Sequence, residues 1–257
     1  MDWGVAAMIL LAGLGSGFVD AIAGGGGLIM IPCLMLGGLP AHAAIATNKL
    51  CGTTGCLTSS LTFARAGLVD WRACVLVGFP AVAGAVAGSR VITMLSTDRA
   101  EPVVIILLTA VALWLLLRPK LNRNADEAGE VPVVTPARMI QSAAVGTLVG
   151  FHDGFFGPGA GAVMVIAVLA LWSLNFVRGM GSAKVINLMT NLAAVTSFLW
   201  AGSVDLPLGL IAAAGVAVGA QAGTSVATTR GVRALRPVAV VATVVIVGKL
   251  GVGYLAR

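Results

Sequence analysis

Charged side chains are scarce in this sequence. They make up 10% of its 257 residues, where a soluble domain carries about 25%. That leaves too little polar surface to face water, which excludes an ordinary soluble enzyme, a disordered chain and a nucleic-acid binder. The four cysteines, Cys33, Cys51, Cys56 and Cys74, show no CxxC or Cys/His spacing. They read as small core hydrophobes rather than metal ligands or disulfide partners. Also absent are an HExxH signature, a Ser–Lys or Cys–His pair at useful spacing, paired metal ligands and a GK[ST] after the glycine runs. No enzyme activity, cofactor or metal is expected.

What the chain has instead is apolar length: 58% hydrophobic residues and a mean hydropathy of +1.01. Apolar runs cover Val5–Ile22, Ala43–Ala64, Ala73–Leu95 and Val103–Leu117, then Arg138–Phe156, Ala183–Trp200, Leu206–Thr228 and Val238–Leu255. A membrane helix needs about 20 such residues. Two shorter runs, Leu28–Leu36 and Ala162–Leu174, follow glycine-rich breaks. None shows the strict alternation of an outer-membrane barrel. The expected fold is an all-α polytopic membrane protein with about ten transmembrane segments. Trp3, Trp71, Trp114 and Trp200 fall near expected span ends, where interfacial aromatics collect. The start of the chain resembles a signal peptide at Ala21-Ile22-Ala23, but it carries Asp2 and no basic n-region, so it is expected to be retained.

With ten crossings and the N-terminus outside, ten basic residues face the cytoplasm: Arg65, Arg72, Arg118, Lys120, Arg123, Arg138, Arg178, Arg230, Arg233 and Arg236. Only Arg90, Arg99 and Arg257 face outward. If the two short runs dip in and return, the count becomes six inside and seven outside, so the positive-inside rule favours ten crossings. A bacterial-type inner or plasma membrane with both termini outside is expected.

The two halves of the chain resemble each other. Gly17-Phe18-Val19-Asp20-Ala21 matches Gly150-Phe151-His152-Asp153-Gly154, and Gly24–Gly27 matches Gly157-Pro158-Gly159-Ala160. Ala66–Asp70 matches Ala201–Asp205, and Gly84 and Gly88 match Gly219 and Gly223. The offset is 133 in the first matches and 135 in the later ones, which places Lys184 on Lys49. Five spans per half give inverted-topology repeats with glycine-broken helices, an architecture of secondary transporters. The expected divisions are a first repeat at 1–118, a polar cytoplasmic linker at 119–137 and a second repeat at 138–257.

Several motifs together resemble the TauE/SafE family of anion permeases. In the first half they are Gly17-Phe18-Val19-Asp20, the Gly24–Gly27 run, Pro32, and Pro40 through Lys49 with its Thr47-Asn48-Lys49 ending. In the second half they are Asp153 through Gly161, then Ser182-Ala183-Lys184 with Asn187 and Asn191. The resemblance covers nearly the whole chain and implies a small permease for sulfite, sulfoacetate or other sulfonates.

Glycine breaks at matching positions are the best sequence pointer to a transporter's site. At Gly24, Gly25, Gly26 and Gly27, and at Gly157, Gly159 and Gly161, one helix would end and another begin. The N–H groups of the new helix suit an anion; close helix packing is the alternative use of such glycines. Lys49 and Lys184 lie within spans, where a charge costs about 2.5–3.5 kcal/mol and needs a partner or a task. Asn187 and Asn191 share a helical face with Lys184, while the first half offers Thr53 near Gly52 and Cys56. Contact with the anion, snorkelling, and pairing with Asp20 or Asp153 all remain open for the lysines. Asp20 and Asp153 are candidates for proton coupling as well as for capping or ion pairing. His152 has Val19 as its repeat partner and is read as structural; His42 is placed in a connecting loop. The expected partners are a small anion and the bilayer, without nucleic acid, and self-association into a homo-oligomer stays open. A passive anion or proton channel is the alternative to a carrier.

Overall fold

The computed structural model describes residues 2–94, 102–104, 106–108, 110 and 133–230. The expected spans at Val103–Leu117 and Val238–Leu255 and the linker at 119–137 lie wholly or largely outside those residues, as do Trp114 and Lys249. Eight helices are defined among the described residues: α1 (Trp3–Ala23), α2 (Gly27–Leu36), α3 (Ala41–Arg65), α4 (Trp71–Met94), α5 (Pro136–Phe155), α6 (Ala160–Trp172), α7 (Phe176–Trp200) and α8 (Leu206–Arg230). Local chemistry sets their ends. Asp2 accepts the Gly4 N–H at 2.9 Å to start α1. Thr135 caps α5 ahead of Pro136, and Asn175 accepts the Arg178 N–H at 2.9 Å to start α7. Side-chain caps of this kind satisfy N–H groups that the helix itself leaves unpaired.

Length and composition qualify Trp3–Ile22, Trp71–Met94 and Leu206–Thr228 as membrane spans. The helices α3 and α7 are as long as α8, 25 residues each, but their faces carry Lys, Asn, Thr and Ser turned to the protein interior. The helices after the glycine breaks have 10 and 13 residues. At 1.5 Å per residue they reach about 15 and 20 Å, less than the ~30 Å hydrocarbon core. His42 falls in the first turn of α3 rather than in a loop, because the helix starts immediately after Pro40. Trp3, Trp71 and Trp200 are exposed at helix ends, whereas Trp172 is fully buried. All four cysteines are buried and free.

The broadest helix contacts run between the two halves of the sequence: α1 lies along α8, and α4 along α5. Small residues make this possible. A Cβ added to Gly219 would overlap the carbonyl oxygen of Leu14, and one added to Gly150 would overlap that of Ala81. Without a hydrophobic effect to drive helices together in lipid, such backbone approach supplies the dispersion contacts that hold the pair.

Two further links join the halves in the same crossed manner. The Asp70 carboxylate accepts the Arg72 and Ala73 N–H groups at 3.1 and 3.0 Å, while the Asp70 N–H donates to Ser182 Oγ at 2.8 Å. Its repeat counterpart Asp205 accepts the Leu208 N–H at 2.9 Å and donates its own N–H to Thr47 Oγ1 at 3.0 Å. Each loop therefore caps the helix that follows it and is pinned to the other half.

Candidate functional site

Two interruptions of the helices create the site. The first follows Asp20 in α1, where Gly24 takes φ +72° and its N–H closes the helix on the Asp20 carbonyl at 2.9 Å. The second lies between α5 and α6, where Gly157 and Gly159 take φ +89° and +78°. A left-handed backbone at these points favours glycine. The interruptions also touch: a Cβ on Gly24 would stand 2.5 Å from the Ala162 nitrogen, and one on Gly161 3.0 Å from the Gly24 Cα. The N-terminal turns of α2 and α6 thus meet at the same place.

Around that meeting point lies a small cavity of about 30 Å³, room for roughly two water molecules. Its walls come from α1 (Ser16, Asp20), both breaks, α3 (Asn48, Lys49), α5 (Asp153), α7 (Asn187, Asn191) and α8 (Val216). Lys49 Nζ donates to Asp153 Oδ1 at 2.7 Å, with both side chains at most 2% exposed. Lys184 Nζ donates to Asp20 Oδ2 at 2.6 Å and also to the Asp20 carbonyl. Each lysine therefore pairs with the aspartate of the opposite half. Burying a charge without a partner is prohibitive, so the two pairs tie the halves together as well as neutralising each other.

The polar surroundings of the two pairs differ. Thr190 Oγ1 donates to Asp153 Oδ2 at 2.6 Å, so both oxygens of that carboxylate are held. Among the described residues, Asp20 Oδ1 receives only the Gly26 N–H, at a long 3.3 Å. Asn191 Nδ2 donates to the Asn187 carbonyl and to Asn187 Oδ1, both at 2.7 Å. Asn48, 8% exposed, makes no side-chain hydrogen bond among the described residues; its Nδ2 stands 3.1 Å from where a Gly27 Cβ would be. Asn187 Nδ2 stands at the same distance from the corresponding point on Gly161. Two amide donors thus face the helix breaks.

Of the residues expected at the site, Asp20, Gly24, Gly26, Gly27, Asn48, Lys49, Asp153, Gly157, Gly159, Gly161, Asn187 and Asn191 line the cavity. Lys184 reaches it through Asp20. Gly25 and Thr53 do not line it. The Gly25 carbonyl accepts the Leu28 N–H at 3.1 Å, and the Thr53 hydroxyl is turned back to the Lys49 carbonyl at 2.8 Å, the usual fate of threonine within a helix. His152 also stays off the cavity, edge-on to the Phe156 ring at 6.2 Å. Ser16, Cys51, Gly52, Gly55, Cys56 and Val216 complete the lining and, with Thr190, were missed from sequence. Helical spacing from Lys49 carried a signal for Gly52 and Cys56, spacing from Asn187 one for Thr190, and spacing from Asp20 one for Ser16; nothing local marked Val216.

Apolar helices long enough to span a bilayer, around a buried charged cavity built from helix breaks, define a multi-pass membrane transport protein. The chain belongs to the sulfite exporter TauE/SafE family, whose profile matches residues 9–250. It is 33% identical over 252 residues to a probable membrane transporter protein of Haemophilus influenzae, covering 97% of this chain and 96% of the relative. It is 31% identical over 244 residues to the probable membrane transporter protein ORF9 of a Sinorhizobium species, covering 95% and 91% of the two chains. It is 31% identical over 238 residues to the probable membrane transporter protein YfcA of Escherichia coli K12, covering 91% and 85%. All three relatives are named as probable membrane transporters. No solved structure matches the chain.

Proposed function

We propose that the protein is a secondary transporter of small sulfur-containing anions, such as sulfite, sulfoacetate or other organosulfonates, with a proton as the coupling ion. The observation that carries this reading is the cavity where two helix N-termini converge beside two lysines and the amides of Asn48 and Asn187. Helix N-termini and ammonium groups favour negative charge, and planar amide donors suit the oxygens of a sulfonate head. Gly24, Gly26, Gly27, Gly157, Gly159 and Gly161 allow the close backbone approach; Lys184, Lys49, Asn187 and Asn191 complete the anion's shell. The fold is read as ten crossings in two inverted repeats, at 1–118 and 138–257, placed in an inner or plasma membrane with both termini outside. Alternating access then moves one repeat against the other around the cavity. A sulfonate exceeds a space for two waters, so side chains must separate before it enters.

Purified protein tests the reading directly. Sulfite, thiosulfate, sulfoacetate, taurine, sulfate, phosphate and acetate are compared by thermal shift, then by flux into proteoliposomes. A ligand at 100 times its Kd adds about 2.7 kcal/mol to the stability of the folded state. Stabilisation confined to sulfur oxyanions, with saturable counterflow, is expected. Leak that neither saturates nor exchanges would replace the carrier with a channel, and flux of phosphate or acetate alone would overturn the substrate class.

A further inference from the structure

We propose that the two crossed ion pairs have different tasks: Lys184–Asp20 opens to admit the anion, and Lys49–Asp153 stays closed through the cycle. The inference rests on the anion-transport reading above and deepens it. By position in the repeat the pairs are equivalent; by environment they are not. Asp153 is 2% exposed and has both carboxylate oxygens engaged, by Lys49 and by Thr190. Asp20 is 18% exposed, and among the described residues its second oxygen has only the long contact to Gly26. The repeat counterpart of Thr190 is Gly55 (190 − 135 = 55), which has no hydroxyl to offer Asp20. Gly55 lines the cavity, as do Gly52 and Cys56, the counterparts of Asn187 and Asn191. Both carboxylates line the cavity, but Asp153 is clamped at both oxygens, whereas Asp20 is more exposed and more loosely held.

The groups facing Asp20 are the Lys184 ammonium from α7 and the Cys56 thiol from α3, with Lys49 and Asp153 across the same cavity. As an anion takes the Lys184 ammonium, the Asp20 carboxylate loses its counter-charge and takes one proton from hydronium in the adjoining aqueous phase, which is left as water. No bond of the anion breaks, and one proton accompanies each anion. Thr190 acts as a positioning residue, through Asp153 and without touching the anion.

Infrared difference spectra of the purified protein in lipid test this, first on acidification without ligand and then on addition of sulfite at neutral pH. In both arms a C=O component from a protonated buried carboxyl is expected, resolved in the acid arm from the bands that the exposed carboxyls also give. Asp20→Asn should abolish it and Asp153→Asn should keep it. Should either single variant fail to fold, the pairs Lys184→Gln with Asp20→Asn and Lys49→Gln with Asp153→Asn serve instead. Thr190→Val should add a second carboxyl band on acidification, whereas Thr190→Ser should not. A buried-carboxyl component that survives the Asp20 change and vanishes with Asp153, or an acid arm that Asp20→Asn leaves unchanged, overturns the assignment. If only the sulfite arm is silent and sulfite gives no flux, the anion-transport reading fails while the acid arm still ranks the two pairs.

Discussion

Removing one member of the Lys49–Asp153 pair should cost far more than removing both. In Asp153→Ala the Lys49 ammonium, 1% exposed, loses the carboxylate 2.7 Å away. Thr190 loses less, since its hydroxyl also lies 3.0 Å from the Asn187 carbonyl. Stranding a buried charge costs about 3–5 kcal/mol, and at this burial solvent screening gives little relief. At about 2–4 °C per kcal/mol for a chain of this size, the melting temperature should fall by about 6–20 °C. The double variant Lys49→Met with Asp153→Leu removes both charges and should stay within about 1–2 kcal/mol of the parent. Four buried free cysteines make a thiol-reactive fluorophore a direct reporter of unfolding in detergent, with all variants scanned at one rate because such melting is often irreversible. A loss under about 1 kcal/mol in Asp153→Ala, or equal losses in single and double variants, would refute the claim that the pair is a buried, mutually dependent unit.

Other consequences are open to test in the same preparations. Gly219→Leu or Gly150→Leu forces a side chain into a neighbouring backbone; folded protein should be lost on size-exclusion chromatography, since overpacking costs about 1–3 kcal/mol or more. Gly15→Ala, with nothing within 4 Å of the new Cβ, should be neutral or stabilising by up to about 1 kcal/mol. Lys184→Gln should lower sulfite flux about 10- to 100-fold, the value of a charge-assisted hydrogen bond; normal flux would remove Lys184 from the anion site. Ser182→Ala leaves the Asp70 N–H without its acceptor and should cost about 1–3 kcal/mol by the thiol melt, with Ser182→Thr restoring most of it.

Much of this architecture was legible in the sequence because it depends on local composition. The apolar runs, the glycine breaks and the recurrence of Asp20, Lys49 and Gly84 as Asp153, Lys184 and Gly219 are all visible along the chain. Asn187 and Asn191 could be placed beside Lys184 because helical periodicity is fixed. Thr53 lies off the cavity for a related reason: periodicity gives the face of a helix but not whether a hydroxyl bonds back to a carbonyl one turn earlier. Ser16 lay one turn before Asp20 on the same face, whereas Val216 carried no periodic mark, since it reaches the cavity only once α8 packs on α1.

The sequence alone therefore determined that this is a helical membrane protein built on a repeated pattern, with two glycine breaks and two lysines within apolar runs. Hydrophobicity, backbone freedom at glycine and the cost of a charge in lipid act residue by residue, and so can be seen without a fold. Only the tertiary structure decided which lysine answers which aspartate. The partners stand 104 and 164 residues apart, and either lysine could have met either carboxylate. The choice came with the packing of α1 on α8, α4 on α5 and α3 on α7, contacts that all cross the halves. It also decided the inequality of the two pairs, because Thr190 bears on Asp153 only after α7 is packed beside α5.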